Sequence, residues 1–402
     1  MLAQLIPLLM MPFFTRMFDA RVFGLQALLM IGINFMVPIS TGFYEYAIPT
    51  PRSERKARQL ATVAFTLALA ANILVALLLL VFKPTLTRML GLEEMGQWVY
   101  AYPLVSFSAS LINVSNYWML RKGKFHLQSL NKICQASSVA TIVLALGLLK
   151  VSTGLMFGFI AGLTIAALFA LRQAYRQKLR FDYTWPIAYY WRMMKQYAEF
   201  PIFGSIPSSI NNIAAQVPVI VITAHYSLGL TGHYSVVRNL MNAAVSLIAA
   251  SFGQVILRHF AQKNHEGEQL WPYYIRITGV VIMLGIIATA GTYVLGPWFF
   301  KLYLGANWQD SVDIVRMISL CMAFWLMGPA LAHAVIAIKR LRAIALWQVL
   351  HGTMAFGLTW FSDLPFHEFI LRVVIYEAFS YSLYFIIMTA TIWRYDHRQK
   401  SA

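Results

Sequence analysis

Two arginines and two glutamates lie in or at the ends of long apolar stretches of this sequence, where charged side chains are rare. Arg16 ends the first stretch and Arg238 lies inside the eighth, while Glu45 and Glu377 lie in the second and the twelfth. An uncompensated charge at the centre of a bilayer costs about 3 kcal/mol, so such a residue needs a partner, a watery cavity or a ligand. Because guanidinium groups bind phosphate oxygens bidentately, our first hypothesis is a diphosphate held by Arg16 and Arg238.

Three of these residues also have structural interpretations, which the sequence leaves open. Arg16 and Arg238 can extend along apolar surface to the outer headgroups, and Arg16 has Asp19 nearby as a partner. Glu45 lies near the end of its stretch, where it either binds a coupling cation or proton or pairs with the basic loop at residues 52–58.

The twelfth stretch carries three ionisable residues with different expected roles. Glu368 and Arg372 are four residues apart near one end of the stretch, so we expect them to pair with each other. Glu377 lies deeper and is, with Glu45, a candidate for ion coupling.

Polar residues recur at steps of three and four in three stretches, which places each set on one face of a helix. Polar side chains facing lipid are costly, so these faces are expected to line a cavity or to form hydrogen bonds between helices. The sets are Asn34, Pro38, Thr41 and Glu45; Ser205, Ser209, Asn212 and Gln216; and Ser235, Arg238, Asn242 and Ser246. From them the predicted substrate-binding residues, beside the two arginines, are Asn34, Asn212, Gln216 and Asn242.

These residues belong to about twelve apolar stretches, each with the length and composition of a membrane span. Hydrophobic residues make up 59% of the chain and charged residues 12%, whereas a soluble domain carries about 25% charged residues. Since an open segment satisfies its backbone in lipid only as a helix, we predict an all-α polytopic membrane protein with about 12 transmembrane helices. The predicted spans are residues 2–17, 23–49, 60–82, 99–120, 133–149, 154–171, 201–225, 232–257, 277–298, 315–338, 343–361 and 369–393.

Basic residues alternate between the loops that join these spans. Of the 32 Lys and Arg, 23 fall in the loops after even-numbered spans and in the C-terminal tail. By the positive-inside rule both termini are cytoplasmic. This pattern explains the net charge of +17, and we expect no nucleic-acid partner because the basic residues are split among short clusters.

The chain divides into two halves of similar pattern. An even number of spans in each half makes the repeat parallel, with a pseudo-two-fold axis along the membrane normal and a substrate path between the halves. We predict a six-helix lobe over residues 1–171, a cytoplasmic amphipathic linker at the membrane surface over 172–199, and a second six-helix lobe over 200–402. The alternative for the linker is an ordinary long loop. A shift of 208 residues places Thr15, Phe18, Gly24 and Asn34 on Thr223, Tyr226, Gly232 and Asn242.

Motifs of soluble enzymes are missing from the sequence. It contains no Walker lysine loop, dinucleotide-binding glycine turn, HExxH or Gly-x-Ser-x-Gly motif, so we expect neither an enzyme nor a bound cofactor. Cys134 and Cys321 have no metal-ligand spacing and are interpreted as structural thiols. The first apolar stretch lacks a cleavage site and is interpreted as a span rather than a signal peptide.

Three segments of the sequence resemble a known group of transporters. They are AQLIPLLMMPFFTRMFDARVFG at residues 3–24, TGFYEYAIPTPRSERKARQLA at 41–61 and FPIFGSIPSSINNIAAQVPVIVITAHYSLGLTGHYSVVRNLM at 200–241. These segments are similar to bacterial O-antigen and polysaccharide flippases of the multidrug/oligosaccharidyl-lipid/polysaccharide exporter superfamily. By position, Arg16, Glu45 and Arg238 match the family's Thr-Arg segment, its Tyr-Glu motif and the arginine after its Gly-x-Tyr.

The resemblance implies a fold and a cargo. It implies two six-helix bundles around a cavity and an undecaprenyl-diphosphate-linked oligosaccharide, used in lipopolysaccharide synthesis, that is flipped across the bacterial inner membrane. Partners would be this lipid-linked oligosaccharide, membrane lipids, and a polysaccharide polymerase or glycosyltransferases. The first span looks about one to two turns short, which leaves room for an upstream segment.

Two rival functions remain at this point. A cation-coupled multidrug antiporter of the same superfamily would need a cavity rich in carboxylates and aromatic residues, whereas Glu45 and Glu377 are the candidate carboxylates here. A membrane polysaccharide polymerase would need a sizeable outer loop, but the longest predicted outer segments are residues 83–98 and 299–314.

Overall fold

The computed structural model describes residues 2–89, 92–183, 186–266, 268–338 and 340–400, and the regular elements of these ranges are helices. Residues 184 and 185 of the predicted linker and Lys339 of one basic loop lie outside them. The helices are α1 Leu2–Met17, α2 Ala20–Thr41, α3 Tyr44–Ala47, α4 Glu54–Met89, α5 Tyr102–Arg121, α6 Phe125–Leu148, α7 Gly154–Arg176, α8 Ile187–Gln196, α9 Ile206–His225, α10 Leu228–His265, α11 Trp271–Leu304, α12 Asp310–Ser319, α13 Met322–Ala337, α14 Leu341–Phe356 and α15 Phe366–Lys400.

Each of the twelve predicted spans corresponds to one of these helices or to a helix with a short neighbour. In the described residues six helices are long and apolar enough to cross a membrane, or seven if α12 and α13, bent by 53°, form one span. The remaining predicted spans are shorter or more polar; α1 and α14, for example, have 16 residues each. The predicted all-α membrane fold is confirmed, and the six helices are Ala20–Thr41, Glu54–Arg88, Phe125–Leu148, Gly154–Arg176, Trp271–Leu304 and Phe366–His397.

The helices form two compact units, Met1–Gln216 and Val217–Ala402. Helix α8 of the predicted linker belongs to the first unit, and the boundary falls within α9 instead of at residue 200. The first half of α9 joins the first unit, where Asn212 of α9 and Ser205 just before it hydrogen-bond to α2.

The two units repeat the same order of helix packing. In the first unit, α5 packs against α2, α4 and α7, and α6 packs against α7. In the second unit, the corresponding helix α13 packs against α10, α11 and α15, and α14 packs against α15. The fourth predicted span of each half therefore packs against the corresponding three spans of its own half, which agrees with a parallel repeat.

The basic loops of the first unit meet at one end of its helices. Lys122 Nζ lies 2.8 Å from Glu54 Oε2, which joins the loop after α5 to the start of α4. Trp118 Nε1 donates to the carbonyl of Gln177 over 3.0 Å, which adds the end of α7. At the other end, Arg21 and Glu94 join two loops that follow odd-numbered spans. The loops after even-numbered spans therefore lie at one end of this unit and those after odd-numbered spans at the other, in agreement with the alternation of basic residues along the sequence.

In the second unit, the loops after even-numbered and odd-numbered spans also lie at opposite ends of the helices. The backbone N–H of Leu270 donates to Asp396 Oδ1 over 2.7 Å, so the loop after α10 meets the end of α15. At the opposite end the Tyr226 hydroxyl donates to the carbonyl of Leu364 over 2.6 Å, and His233 Nδ1 lies 2.8 Å from Ser311 Oγ.

Two glycines allow α6 and α7 to approach closely. A Cβ atom at Gly158 would lie 2.8 Å from the Cα of Val143, and one at Gly162 would lie 2.5 Å from the Cα of Val139. Small residues four apart are a common device for packing helices in lipid, where no hydrophobic effect drives them together.

Candidate functional site

Arg238 is held inside the second unit by hydrogen bonds from both ends of its guanidinium. Its side chain, 12% exposed, extends from α10, where Nη2 donates to Glu377 Oε1 over 2.8 Å. Nη1 donates to the hydroxyl of Tyr234, one helical turn earlier, over 2.7 Å. The arginine of the eighth predicted span and the glutamate of the twelfth thus form an ion pair that ties α10 to α15.

Trp325 completes the surroundings of this pair. Its indole Nε1 donates to Glu377 Oε2 over 3.2 Å, so both carboxylate oxygens have a donor. The guanidinium carbon of Arg238 also lies 5.6 Å from the Trp325 ring centroid, within range of a cation–π interaction. We call Tyr234, Arg238, Trp325 and Glu377 the arginine cluster.

A second polar group fixes α14 against α15 next to this cluster. Trp347 Nε1 donates to the carbonyl of Ser380 over 2.9 Å, and His351 Nδ1 lies 2.8 Å from Ser380 Oγ. The Tyr376 hydroxyl donates to the carbonyl of His351 over 3.2 Å. These contacts hold the backbone on both sides of Glu377, which restricts where its carboxylate can lie.

Glu45 lies on a separate short helix, so the prediction of one continuous helical face from Asn34 to Glu45 is wrong beyond Thr41. Helix α2 ends there because Gly42 and Phe43 both adopt left-handed backbone conformations, with φ of 58° and 61°. Glycine tolerates this conformation, and the turn places Glu45 on α3.

Glu45 is buried, and no basic side chain pairs with it in the described residues. The residue is 1% exposed, and its Oε2 has no hydrogen-bond partner among the described residues. The alternative of pairing with the basic loop is not observed in that part of the chain, where Arg58 pairs with Glu54 at 2.7 Å. Burying an unpaired carboxylate is costly, so binding a proton or a small cation would stabilise Glu45.

Arg121 holds the chain that follows Glu45. Its guanidinium donates to the carbonyls of Pro51 over 2.6 Å, Ile48 over 3.3 Å and Arg52 over 3.3 Å. The prolines in this segment supply no N–H, so carbonyls here need side-chain donors. Sequence reasoning counted Arg121 only as a topology signal and missed this role.

Polar residues of α9 and of the turn before it make hydrogen bonds to α2, one of the two expected outcomes. Pro38 has no N–H, which frees the carbonyl of Asn34, and Asn212 Nδ2 donates to that carbonyl over 3.0 Å. The N–H of Gly42 turns to Ile39, and the carbonyl of Pro38 then accepts from Ser205 Oγ over 2.8 Å. Two carbonyls of α2, one freed by Pro38 and one by the end of the helix, are thereby satisfied.

The other predicted residues are placed as follows. Arg16 is exposed at the end of α1, and its Nη1 donates to the carbonyl of Pro12 over 2.6 Å. Gln216 and Asn242 are half-buried in α9 and α10. Convergence of Arg16 and Arg238 on one ligand stays a prediction.

One predicted pair in α15 is wrong. No ion pair joins Glu368 and Arg372 among the described residues, and the guanidinium carbon of Arg372 lies 5.4 Å from the ring centroid of Phe361. Stacking on an aromatic ring competes well with an exposed ion pair, which is worth little.

Tyr234 and Trp325 were missed in the sequence, although signals for both existed. Tyr234 precedes Arg238 by four residues, which places both on one helix face. A tryptophan within a span needs an acceptor for its N–H, and Glu377 is a buried acceptor.

Comparison with known proteins gives one family and one fold. A family model described as a polysaccharide biosynthesis protein matches residues 13–313. No curated protein matches the chain. The chain is similar in structure to an inward-facing multidrug resistance MATE family transporter of the MOP superfamily, with a TM-score of 0.74 and 12% identity over 98% of this chain and 94% of that one.

Two further structures share this fold. The lipid II flippase MurJ, in an inward closed conformation, has a TM-score of 0.74 and 12% identity over 97% of this chain and 85% of its own. A MOP superfamily transporter from Pyrococcus furiosus has a TM-score of 0.59 and 14% identity over 92% and 85%. At these identities the likeness establishes the fold of the MOP superfamily.

Proposed function

We propose that this chain, which belongs to the family of polysaccharide biosynthesis proteins, is a flippase for undecaprenyl-diphosphate-linked oligosaccharide repeat units. It would carry them by alternating access across the bacterial inner membrane, with both termini in the cytoplasm. The cargo would come from glycosyltransferases and pass to a polysaccharide polymerase for O-antigen and lipopolysaccharide assembly.

The observation that carries this proposal is the buried guanidinium of Arg238. A guanidinium has five N–H donors, and in the described residues Glu377 and Tyr234 each accept from one of its terminal nitrogens. Donors are left for a phosphate oxygen, and the cation–π contact with Trp325 keeps the charge in place. We assign these remaining donors to an anionic headgroup, because phosphate oxygens accept from guanidinium groups in short, charge-assisted hydrogen bonds.

The remaining candidates divide between phosphate and sugar. Arg16, exposed on α1, would supply the second guanidinium. The amides of Asn34, Asn212, Gln216 and Asn242 would donate to and accept from sugar hydroxyls. Asn212 would have to exchange its bond with the Asn34 carbonyl for a bond to the cargo.

Glu45 is the stronger of the two candidates for coupling to an ion gradient. Glu377 already has Arg238 as its counter-charge, whereas Glu45 has an oxygen without a partner among the described residues. A proton or cation bound at Glu45 would neutralise it during transport, and its release would reset the protein.

The proposal is tested by reconstituting the purified protein in vesicles with a polyprenyl-diphosphate oligosaccharide and measuring its appearance in the opposite leaflet. We expect transport by the wild type and loss of transport in Arg16→Ala, with an unchanged melting temperature because Arg16 is exposed. Arg21→Ala is the matched control, since Arg21 is an exposed arginine close by in sequence and paired with Glu94. Normal transport by Arg16→Ala would remove Arg16 from the site.

The same vesicles separate the rival functions. Robust efflux of an organic cation without movement of the lipid-linked sugar would establish the antiporter. In cells, single repeat units that reach the periplasm after gene loss would point to a polymerase, and repeat units retained in the cytoplasm support the flippase.

A further inference from the structure

Helix α8 has two faces of different character. Its inner face packs into the core of the first unit through Tyr189, Met193 and Tyr197. The hydroxyl of Tyr189 lies 3.2 Å from Gln59 Oε1, and the hydroxyl of Tyr44 donates to the carbonyl of Met194 over 3.0 Å. These contacts hold α8 against the first unit through its inner face.

The outer face of α8 combines large apolar side chains with cations. Ile187 and Trp191, one helical turn apart, are 76% and 58% exposed. Arg192 and Lys195 are exposed beside them and form no ion pair in the described residues. An exposed tryptophan next to unpaired cations on a short amphipathic helix is the composition of a membrane-interface element.

The segment before α8 adds to the same charge. Arg176, Lys178 and Arg180 at the end of α7 are exposed, and Arg180 stacks on Tyr175 with 3.8 Å between its guanidinium carbon and the ring centroid. None of the three forms an ion pair among the described residues. The end of α7 and the outer face of α8 therefore carry five exposed basic side chains that form no ion pair among the described residues.

We propose that the outer face of α8 binds the headgroups of anionic phospholipids, with Ile187 and Trp191 inserted at the level of the glycerol groups. The occupant is a lipid surface because unpaired cations require anions and the two apolar side chains require an apolar phase next to them. A soluble anion would satisfy the cations alone. This site is independent of the cargo proposed above and requires only that the protein lies in a membrane.

The test is hydrogen–deuterium exchange of residues 187–196 in the full-length protein, in nanodiscs of phosphatidylcholine alone and of phosphatidylcholine mixed with phosphatidylglycerol. We expect the anionic lipid to slow exchange about fivefold or more, since each basic residue near an anionic leaflet strengthens binding about fivefold. The double variant R192Q/K195Q should lose this lipid dependence.

The matched control is the double variant K124Q/K132Q, which removes two exposed cations of the same unit, Lys124 just before α6 and Lys132 within it. It should retain the lipid dependence of α8. Equal exchange in both lipids, or an unchanged effect in R192Q/K195Q, would overturn the proposal. Protection by inorganic phosphate added to phosphatidylcholine discs would also overturn it, because a soluble anion would then be sufficient.

Discussion

The interiors of the two units treat buried charge in opposite ways. In the second unit Arg238 and Glu377 neutralise each other at 2.8 Å, and Trp325 completes the carboxylate's hydrogen bonds. In the first unit Glu45 is buried with one oxygen unpartnered among the described residues. One carboxylate is thus paired with an arginine, while the other is the one that we propose to gain and lose a proton or small cation.

The helices that carry these groups also differ, because Arg238 lies within a long continuous helix and Glu45 follows a helix break. Helix α10 runs for 38 residues and keeps Arg238 within regular hydrogen bonding, whereas α2 stops at Thr41 and Glu45 follows on its own short helix. At the offset of 208 residues Arg238 corresponds to Met30, so the charge is absent from the first copy. The repeat preserves helix order, and the chemistry of each copy has diverged.

The largest effect is expected from removing the arginine of the second unit. Arg238→Ala leaves Glu377 buried without its counter-charge, which costs about 3–5 kcal/mol in the free energy of unfolding, and it should abolish cargo transport. Thermal unfolding in detergent and the vesicle assay measure the two losses.

A charge exchange separates these two losses. The double variant R238E/E377R restores an ion pair between α10 and α15 and should recover most of the lost stability. It should not recover transport, because the guanidinium then projects from the other helix. A swapped protein that transports at the wild-type rate would reduce Arg238 to a packing role and remove the distinction between the units.

Most of the fold could be predicted from the sequence because membrane spans follow from composition alone. Helix α7, for instance, has no charged residue between Gly154 and Leu171, and the alternation of basic loops fixed which helix ends meet. The break after Thr41 was not predicted, because neither Gly42 nor Phe43 is a proline and both lie within one continuous apolar stretch. Helix breaks of this kind depend on donors from other helices, such as Ser205.

The residues of the site were predicted by type, and their partners were not. Arg238 and Glu377 stood out because a charge in a span is costly, but they are 139 positions apart in the chain and nothing local joins them. Arg121 was hidden for the opposite reason: it lies in a basic loop, where an arginine needs no explanation. Its donation to backbone carbonyls is visible only once the loop is folded.

An intermediate effect is expected from neutralising the carboxylate of the first unit. Glu45→Gln keeps the shape of the side chain but cannot exchange a proton, so transport should no longer respond to an imposed pH or sodium gradient. An uncompensated charge within the membrane costs about 3 kcal/mol, which corresponds to a change of roughly a hundredfold in a rate constant. We therefore expect the imposed gradient to change the wild-type transport rate by at most about this factor through Glu45.

The control for this variant is Glu199→Gln, which neutralises an exposed acid of the same unit and should keep the gradient response. A gradient response that survives in Glu45→Gln and disappears in Glu377→Gln would reverse the roles assigned to the two carboxylates.

The smallest effect is expected from Trp325→Phe, which tests how the second unit keeps its charge pair in place. The variant removes the N–H that donates to Glu377 Oε2 and leaves an aromatic face near Arg238. A hydrogen bond to a charged group contributes about 2 kcal/mol, so the melting temperature should fall while transport slows only a few-fold. Trp347→Phe is the control, because it removes an indole N–H from the carbonyl of Ser380 without touching the carboxylate. If both variants lower transport equally, the two indoles act through general packing, and the carboxylate of the second unit would be held in place without help from Trp325.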